Sequence, residues 1–450
     1  MAIDYIPHTD EDREAMLAAL GIASVDELFR DIPPELRLGR PLDLPPALTE
    51  PELVAHLEAL AAANPGATKV CFLGGGVYDH FIPSVVPYLA GRGEFATAYT
   101  PYQPEVSQGT LRAIFEFQTM IAELTGLDVA NASMYDGATA LAEAAFMAVN
   151  IARRERIVVL GGVHPEARQV LQTYAAGQAL PVTVVPVDPE QGTTDLAALD
   201  RVLAAGDVAC VLIQQPNFYG CLEPAPEIAR RAKGAGAMVV VSADPVSLGL
   251  LEAPGRYGAD IVVGDGQSLG LPMAYGGPHF GFFACRAEYV RRLPGRIVGR
   301  TVDRRGREGY VLTLQTREQH IRRDRATSNI CTNHSLMALA ATIHLAALGP
   351  RGLRQLAELC LHKAHYLAER IEALPGFRRV FRAPFFKEFV VACQRPGFDP
   401  AAAALDAGYL VGPDLGRWEP ARRGQLLVAV TERRTRAEMD GLVAAWGVRA

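Results

Sequence analysis

Lysine is nearly missing from this chain. Of its 44 basic side chains, only Lys69, Lys233, Lys363 and Lys387 are not arginine. Every position that could form an imine can therefore be checked. Lys69 precedes a strand-like run, and Lys233 ends an amphipathic helix. Lys363 sits in a long C-terminal helix, and Lys387 begins a strand of a C-terminal domain. None follows a strand of the parallel-sheet region, where ligands of open α/β sheets approach. An autonomous imine-forming enzyme is therefore not expected. The seven cysteines (Cys71, Cys210, Cys221, Cys285, Cys331, Cys360 and Cys393) form no CxxC pair. Their odd number and irregular spacing exclude a zinc ribbon or a disulfide framework, and free thiols in a reducing cytoplasm are expected. No HExxH, GxSxG or DFG motif supplies another catalytic centre.

Other absences are equally plain. There is no unbroken apolar run of about eighteen residues, so no span of a membrane is expected. The opening stretch, MAIDYIPHTDEDRE, is acidic and has no signal-peptide core. A net charge of −6 gives no general reason to expect nucleic acid or a membrane surface as partner. What remains is an ordinary globular composition, 49 % hydrophobic and 21 % charged, over 450 residues. That length accommodates two or three domains.

Three regions follow from the patterning. Residues 1–65 alternate short helical signals with Ile32-Pro33-Pro34 and Leu44-Pro45-Pro46. They predict an N-terminal helical arm that wraps another subunit or the body of the protein. Residues 66–345 carry apolar strand-like runs at Ile157 to Leu160, Val182 to Val187, Val208 to Ile213, Met238 to Ala243 and Asp260 to Val263, with helical segments between them. This predicts a large α/β domain with a mainly parallel sheet. Residues 346–450, beyond Gly349-Pro350, predict a small α+β domain. His362 and His365 lie at i, i+3 on its long helix, where a plain helix surface is the expectation and no metal site is assigned.

Gly258 to Ala284 organises the chain. A buried strand ends in Gly264-Asp265-Gly266-Gln267-Ser268, and a second strand follows from Phe280. In many large α/β enzymes such a turn presents the lysine that binds pyridoxal phosphate. Here Gln267 stands in that turn, and an amide cannot form an imine. Asp136 is placed to cap the helix that starts at Ala138, where such enzymes often seat the cofactor phosphate; a carboxylate there takes the free N–H groups and repels a dianion. Asp244 ends a strand where a pyridine nitrogen would be paired, or caps the turn Pro245 to Leu250. Gly74-Gly75-Gly76 lacks phosphate-loop spacing and reads as a tight turn. Twelve arginines lie between Arg286 and Arg325. A solvated, ion-paired surface and a docking face for an anionic partner both fit them.

Long motifs then carry a resemblance over essentially the whole chain. They are TPYQPEVSQG (Thr100 to Gly109), FQTMIAELTGLDVANASMYDGATALAEA (Phe117 to Ala144), the Gly258 to Ala284 stretch, and REQHIRRDRATSNICTNHSLMAL (Arg317 to Leu339). In that order they resemble the P-protein family of the glycine cleavage system. By length the chain is similar to the N-terminal half of the single-chain form, which is the alpha subunit of the split form.

The resemblance implies a pyridoxal-phosphate-dependent, fold type I architecture. It also implies a counterpart, subunit 2 (the beta subunit), that carries the cofactor lysine, with Gln267 at the equivalent position here. It further implies a cytoplasmic α2β2 heterotetramer. The implied reaction decarboxylates glycine through a pyridoxal phosphate aldimine and passes the aminomethyl group to the lipoyl arm of H-protein. Active sites of this fold class lie at subunit interfaces. The chain is thus expected to complete its partner's site and to have no catalytic residue of its own. Tyr99, Tyr102, Gln103 and Ser107 are candidates to shape the substrate pocket. Ser328, Asn329 and Thr332 are candidates to reach the partner-held cofactor phosphate. The arginine-rich segment is expected to help dock H-protein or the catalytic subunit.

Overall fold

The structure is a computed structural model that describes residues 7–447. Two compact units divide it, Met1–Thr68 and Lys69–Ala450. In the first, α1 (Asp10–Leu20) and α2 (Glu50–Ala62) both begin with a capping box, Thr9 with Asp12 and Thr49 with Glu52. Neither helix buries a residue, and Leu20, Leu28, Phe29, Leu36, Leu44 and Leu57 stay exposed. This unit has helix-forming signals without a core of its own.

The second unit opens with β1 (Val70–Leu73). The central sheet uses β2 (Val129–Ala130), β3 (Arg156–Leu160), β4 (Val182–Val185), β5 (Val208–Gln215), β6 (Met238–Ala243), β7 (Ile261–Asp265) and β8 (Gly281–Cys285), in spatial order β2-β8-β7-β6-β5-β3-β4. From β7 to β4 all pairings are parallel, and β8 and β2 add antiparallel pairings at one edge. Alternate residues of one strand serve opposite faces. Val158, Val211, Val239 and Val262 face one layer; Ile157, Val159, Leu212, Val240 and Val263 face the other.

The first layer holds α3 (Gln108–Thr125), through Phe117 and Ile121. The second holds α4 (Gly137–Ala152) and α5 (Pro165–Gly177), through Leu141, Met147 and Leu171. Helices α6 (Leu196–Leu203) and α7 (Ala225–Gly234) return the chain to the first layer through Leu199 and Ile228. Strands covered on both faces read as continuous apolar runs, which is why the sequence pattern located them.

The arginine-rich segment contains a hairpin, β9 (Ile297–Val302) and β10 (Glu308–Thr313), which the sequence reading did not anticipate. Its turn is held by the Asp303 carboxylate, which accepts from the Arg305 and Arg307 backbone N–H groups at 2.7 and 2.9 Å. Arg300 pairs with Glu308 and Arg307 with Asp303 at its surface. Arg296 and Arg317 are instead buried.

Helix α8 (Ser335–Glu372) bends at Gly349 (φ 61°, ψ 178°), just before Pro350. Its first half packs Ala338 and Ala341 on the large sheet. Its second half packs Ala364, Leu367 and Ile371 on a small sheet. By length and composition alone α8 is apolar enough to cross a membrane, but much of its apolar surface is core here.

The small sheet uses β11 (Phe377–Arg379), β12 (Glu388–Cys393) and β14 (Gln425–Ala429), all antiparallel. Between β12 and β14, α9 (Pro400–Asp406) leads to β13 (Tyr409–Gly412), which pairs in parallel with β1. The closing helix, α10 (Arg436–Gly447), covers the small sheet with Met439, Leu442 and Trp446.

Candidate functional site

The carboxyl ends of β3, β5, β6 and β7 open onto a cavity of about 250 Å³. His164, Gln214, Asp244, Asp265 and Ser268 line it from the large sheet. The Gly75 to Tyr78 turn and Phe386-Lys387-Glu388 close it from the small-sheet side. This is where ligands of open α/β sheets bind.

Several polar groups at this end of the sheet are already engaged within the chain. Gln267, in the turn after β7, is buried, and its side-chain amide makes three hydrogen bonds. Its Oε1 accepts from the Tyr78 N–H at 2.9 Å. Its Nε2 donates to the Tyr78 carbonyl at 3.0 Å and to the Leu271 carbonyl at 2.9 Å. Gln267 thus clamps the turn after β1 over the sheet end.

At the start of α4 two carboxylates take the N–H groups that would hold a phosphate. Asp136 accepts from the Thr139 N–H at 2.7 Å, and Asp265 accepts from the Gly137 N–H at 3.1 Å. Burial pushes the Asp265 carboxyl up, against the hydrogen bonds from the Gln267 and Gly137 N–H groups. A phosphate dianion would meet two acids there.

Asp244 caps its turn by accepting from the Val246 N–H at 3.0 Å. Its other oxygen lies 2.7 Å from the Lys387 ammonium. Position in the chain had put Lys387 outside the ligand end of the sheet. The structure corrects this: Lys387 heads the small-sheet strand that faces the large sheet, and it lines the cavity. The residues of this chain therefore do not fit pyridoxal phosphate.

The sequence-predicted residues lie elsewhere; none of Tyr99, Tyr102, Gln103, Ser107, Ser328, Asn329 and Thr332 lines this cavity. Tyr99 is 88 % exposed and Tyr102 48 %. Gln103, Asn329 and Thr332 are exposed, and Ser107 is half-buried just before α3. Ser328 is half-buried; its hydroxyl accepts from the Ile330 N–H at 3.1 Å and hydrogen-bonds the Glu143 carboxyl inside α4.

One residue the sequence reading did not single out joins the two segments. Arg296, just before β9, donates to the Tyr102 hydroxyl at 3.1 Å, the Cys331 carbonyl at 2.7 Å and the Asn333 side-chain oxygen at 3.3 Å. Its guanidinium also lies over the Tyr102 ring, 5.5 Å from the centroid. Asn333 in turn donates to the Ser133 hydroxyl at 2.8 Å. Ser133 is fully buried with φ 136°, a strained conformation for a residue with a Cβ. The segment from Ser328 to Asn333 is thus tied to the sheet through Arg296 and Ser133, while Asn329 and Thr332 face outward.

His365 stacks on the Phe385 ring and its Nε2 meets the Phe385 carbonyl at 3.0 Å, and His362 is exposed. They do not converge on a metal. The Gly74 to Gly76 stretch is a turn, with φ of 86° at Gly75 and 105° at Gly76, and its Gly75 N–H donates to Glu388 at 2.7 Å.

The architecture is that of the fold type I pyridoxal-phosphate-dependent enzymes. The sphingosine-1-phosphate lyase of Burkholderia pseudomallei shares it at a TM-score of 0.65 over 91 % of this chain and 92 % of its own, with 16 % identity. A family model for the glycine cleavage system P-protein matches residues 3–446, and the chain belongs to that family. A Moorella thermoacetica protein named probable glycine dehydrogenase (decarboxylating) subunit 1 is 55 % identical over 98 % of both chains. A crystal structure of the glycine decarboxylase (P-protein) of the glycine cleavage system, in inhibitor-bound form, superposes with a TM-score of 0.91 at 48 % identity, over 99 % of each chain.

Proposed function

We propose that this chain is the non-lysine subunit, subunit 1 or alpha, of a two-chain glycine dehydrogenase (decarboxylating). In that reaction glycine loses its carboxylate as carbon dioxide, and the aminomethyl remainder passes to the lipoyl disulfide of H-protein. Pyridoxal phosphate, carried by subunit 2, supplies the electron sink. One observation carries the reading: this chain's cofactor-type cavity is engaged by its own side chains, while two polar segments joined by Arg296 stand at the surface.

In this reading those segments complete the partner's site. Tyr99, Tyr102, Gln103 and Ser107 offer neutral hydrogen bonds to the bound amino acid. Ser328, Asn329 and Thr332 offer short donors to the cofactor phosphate. Arginines of the β9–β10 region provide positive charge for docking H-protein or subunit 2. The assembly is an α2β2 heterotetramer in the cytoplasm, where the chain's unpaired thiols would stay reduced.

The test is reconstitution with subunit 2, followed by Tyr102→Phe and Ser328→Ala in this chain. Turnover of glycine is expected to fall about tenfold or more in each, the worth of one hydrogen bond in a transition state. Unchanged turnover in an intact complex would instead assign the chain a purely structural role.

A further inference from the structure

Lys387 is 2 % exposed, and a buried lysine needs partners for three N–H bonds and one charge. All four needs are met around its Nζ. Asp244 lies 2.7 Å away and supplies the opposite charge. The His80 ring presents Nε2 at 3.2 Å. The face of the Tyr78 ring lies 3.6 Å from the ammonium to its centroid, close enough for a strong cation–π contact.

The walls of this arrangement are held in turn. His80 Nδ1 meets Glu432 at 2.6 Å; with its proton there, Nε2 is a free acceptor. Burial, and then the Lys387 charge, push the His80 imidazole down, which keeps it neutral. The Tyr78 hydroxyl donates to Glu388 at 2.7 Å. The Tyr78 backbone is gripped by the Gln267 amide. Gln267, an amide in the turn after β7, therefore steadies the aromatic wall against which the Lys387 ammonium lies.

We propose that the cofactor-type cavity of this chain is a primary-ammonium cage whose ligand is tethered. Lys387 supplies that ammonium from the cavity wall and takes from Asp244 the bond that a pyridine nitrogen would require. The ligand class the site recognises is a small primary ammonium, not a phosphate ester. The chain thereby withholds Asp244 from the cofactor's pyridine nitrogen as well as lacking an anchor. This stands independently of which reaction the assembly performs.

The chain's scarcity of lysine makes the test clean. The folded full-length protein is treated with formaldehyde and cyanoborohydride, and methylated lysines are mapped by peptide mass. Lys69 and Lys233, both reachable by solvent, are expected to react; Lys387 is expected to stay unmodified until the protein is denatured. Methylation of Lys387 at the rate of Lys69 would overturn the proposal. Asp244→Asn, which keeps the size and removes the charge, is expected to raise Lys387 labelling in the folded protein, and unchanged protection counts against the cage.

The second arm is chemical rescue. Lys387→Ala is expected to lower Tm by several degrees, because it leaves Asp244 without its cation. Methylammonium or ethylammonium is expected to restore Tm, whereas tetramethylammonium and ethanol are not. An unchanged Tm, absence of rescue, or rescue matched by ethanol would overturn the proposal. If Lys387→Ala does not fold, the labelling of the wild type and of Asp244→Asn decides.

Discussion

Glu143 sits on the buried face of α4, and burial pushes its carboxyl up to about 7, with the Ser328 hydroxyl only partly offsetting this. An ordinary glutamate in the unfolded chain titrates near 4.5. Below that value both states are protonated. Between it and about 7 the folded state holds the proton and the unfolded state does not, so stability falls as pH rises. Full loss is on the order of 3 kcal/mol, at about 1.4 kcal/mol per pKa unit. Glu388, pushed up to about 7 by burial, acts in the same direction. Glu143→Gln is expected to flatten the decline, measured as urea unfolding at pH 5 and pH 8. Equal declines in variant and wild type would show that Glu143 is ionised in the fold.

Arg296 belongs to the same scale. Its hydrogen bonds to Tyr102, Cys331 and Asn333 are charge-assisted, a class worth about 1.5–3 kcal/mol each. Arg296→Ala in a reconstituted pair is expected to lower kcat about tenfold to a hundredfold while this chain remains folded by circular dichroism. Arg296→Lys is expected to recover little, since an ammonium cannot span three acceptors in the plane of a guanidinium. Full kcat in the alanine variant would remove Arg296 from any positioning role.

At the level of elements, the turn after β7 and the start of α4 are interlocked. A Cβ on Gly137 would lie 2.7 Å from the Asp265 backbone nitrogen and 2.9 Å from its Cβ. Gly137→Ala is therefore expected to destabilise by roughly 1–3 kcal/mol through overpacking, read as a lower urea midpoint at unchanged slope. An unchanged midpoint would mean that α4 can slide away from β7.

The same elements show what a reader of the sequence can and cannot see. β5 and β6 are apolar runs with both faces covered, and they stand out. The bend of α8 is announced by Gly349-Pro350. The β9–β10 hairpin is obscured because its alternation is broken by Gly299, Arg300 and Gly309. The pairing of β1 with β13 joins distant parts of the chain and leaves no local mark. For the site, the Asp136 cap of α4 was legible from position alone. Lys387 and Arg296 were not, because their importance lies in partners brought from other strands and loops.

In the molecule as a whole, a scaffold of the pyridoxal-phosphate type carries a cavity that does not fit the cofactor. Its N-terminal unit has two helices, α1 and α2, that bury no residue. All three features suit a chain that works in company. The most direct measurement is a paired titration with pyridoxal phosphate, first of this chain alone and then with subunit 2. Imine absorbance and glycine-dependent exchange of carbon dioxide are recorded with lipoylated H-protein. This chain alone is expected to show no imine band and no exchange. The pair is expected to show both, with the borohydride-trapped cofactor only on the partner. A trapped cofactor on Lys387 or any other lysine of this chain, with exchange in the partner's absence, would contradict that expectation.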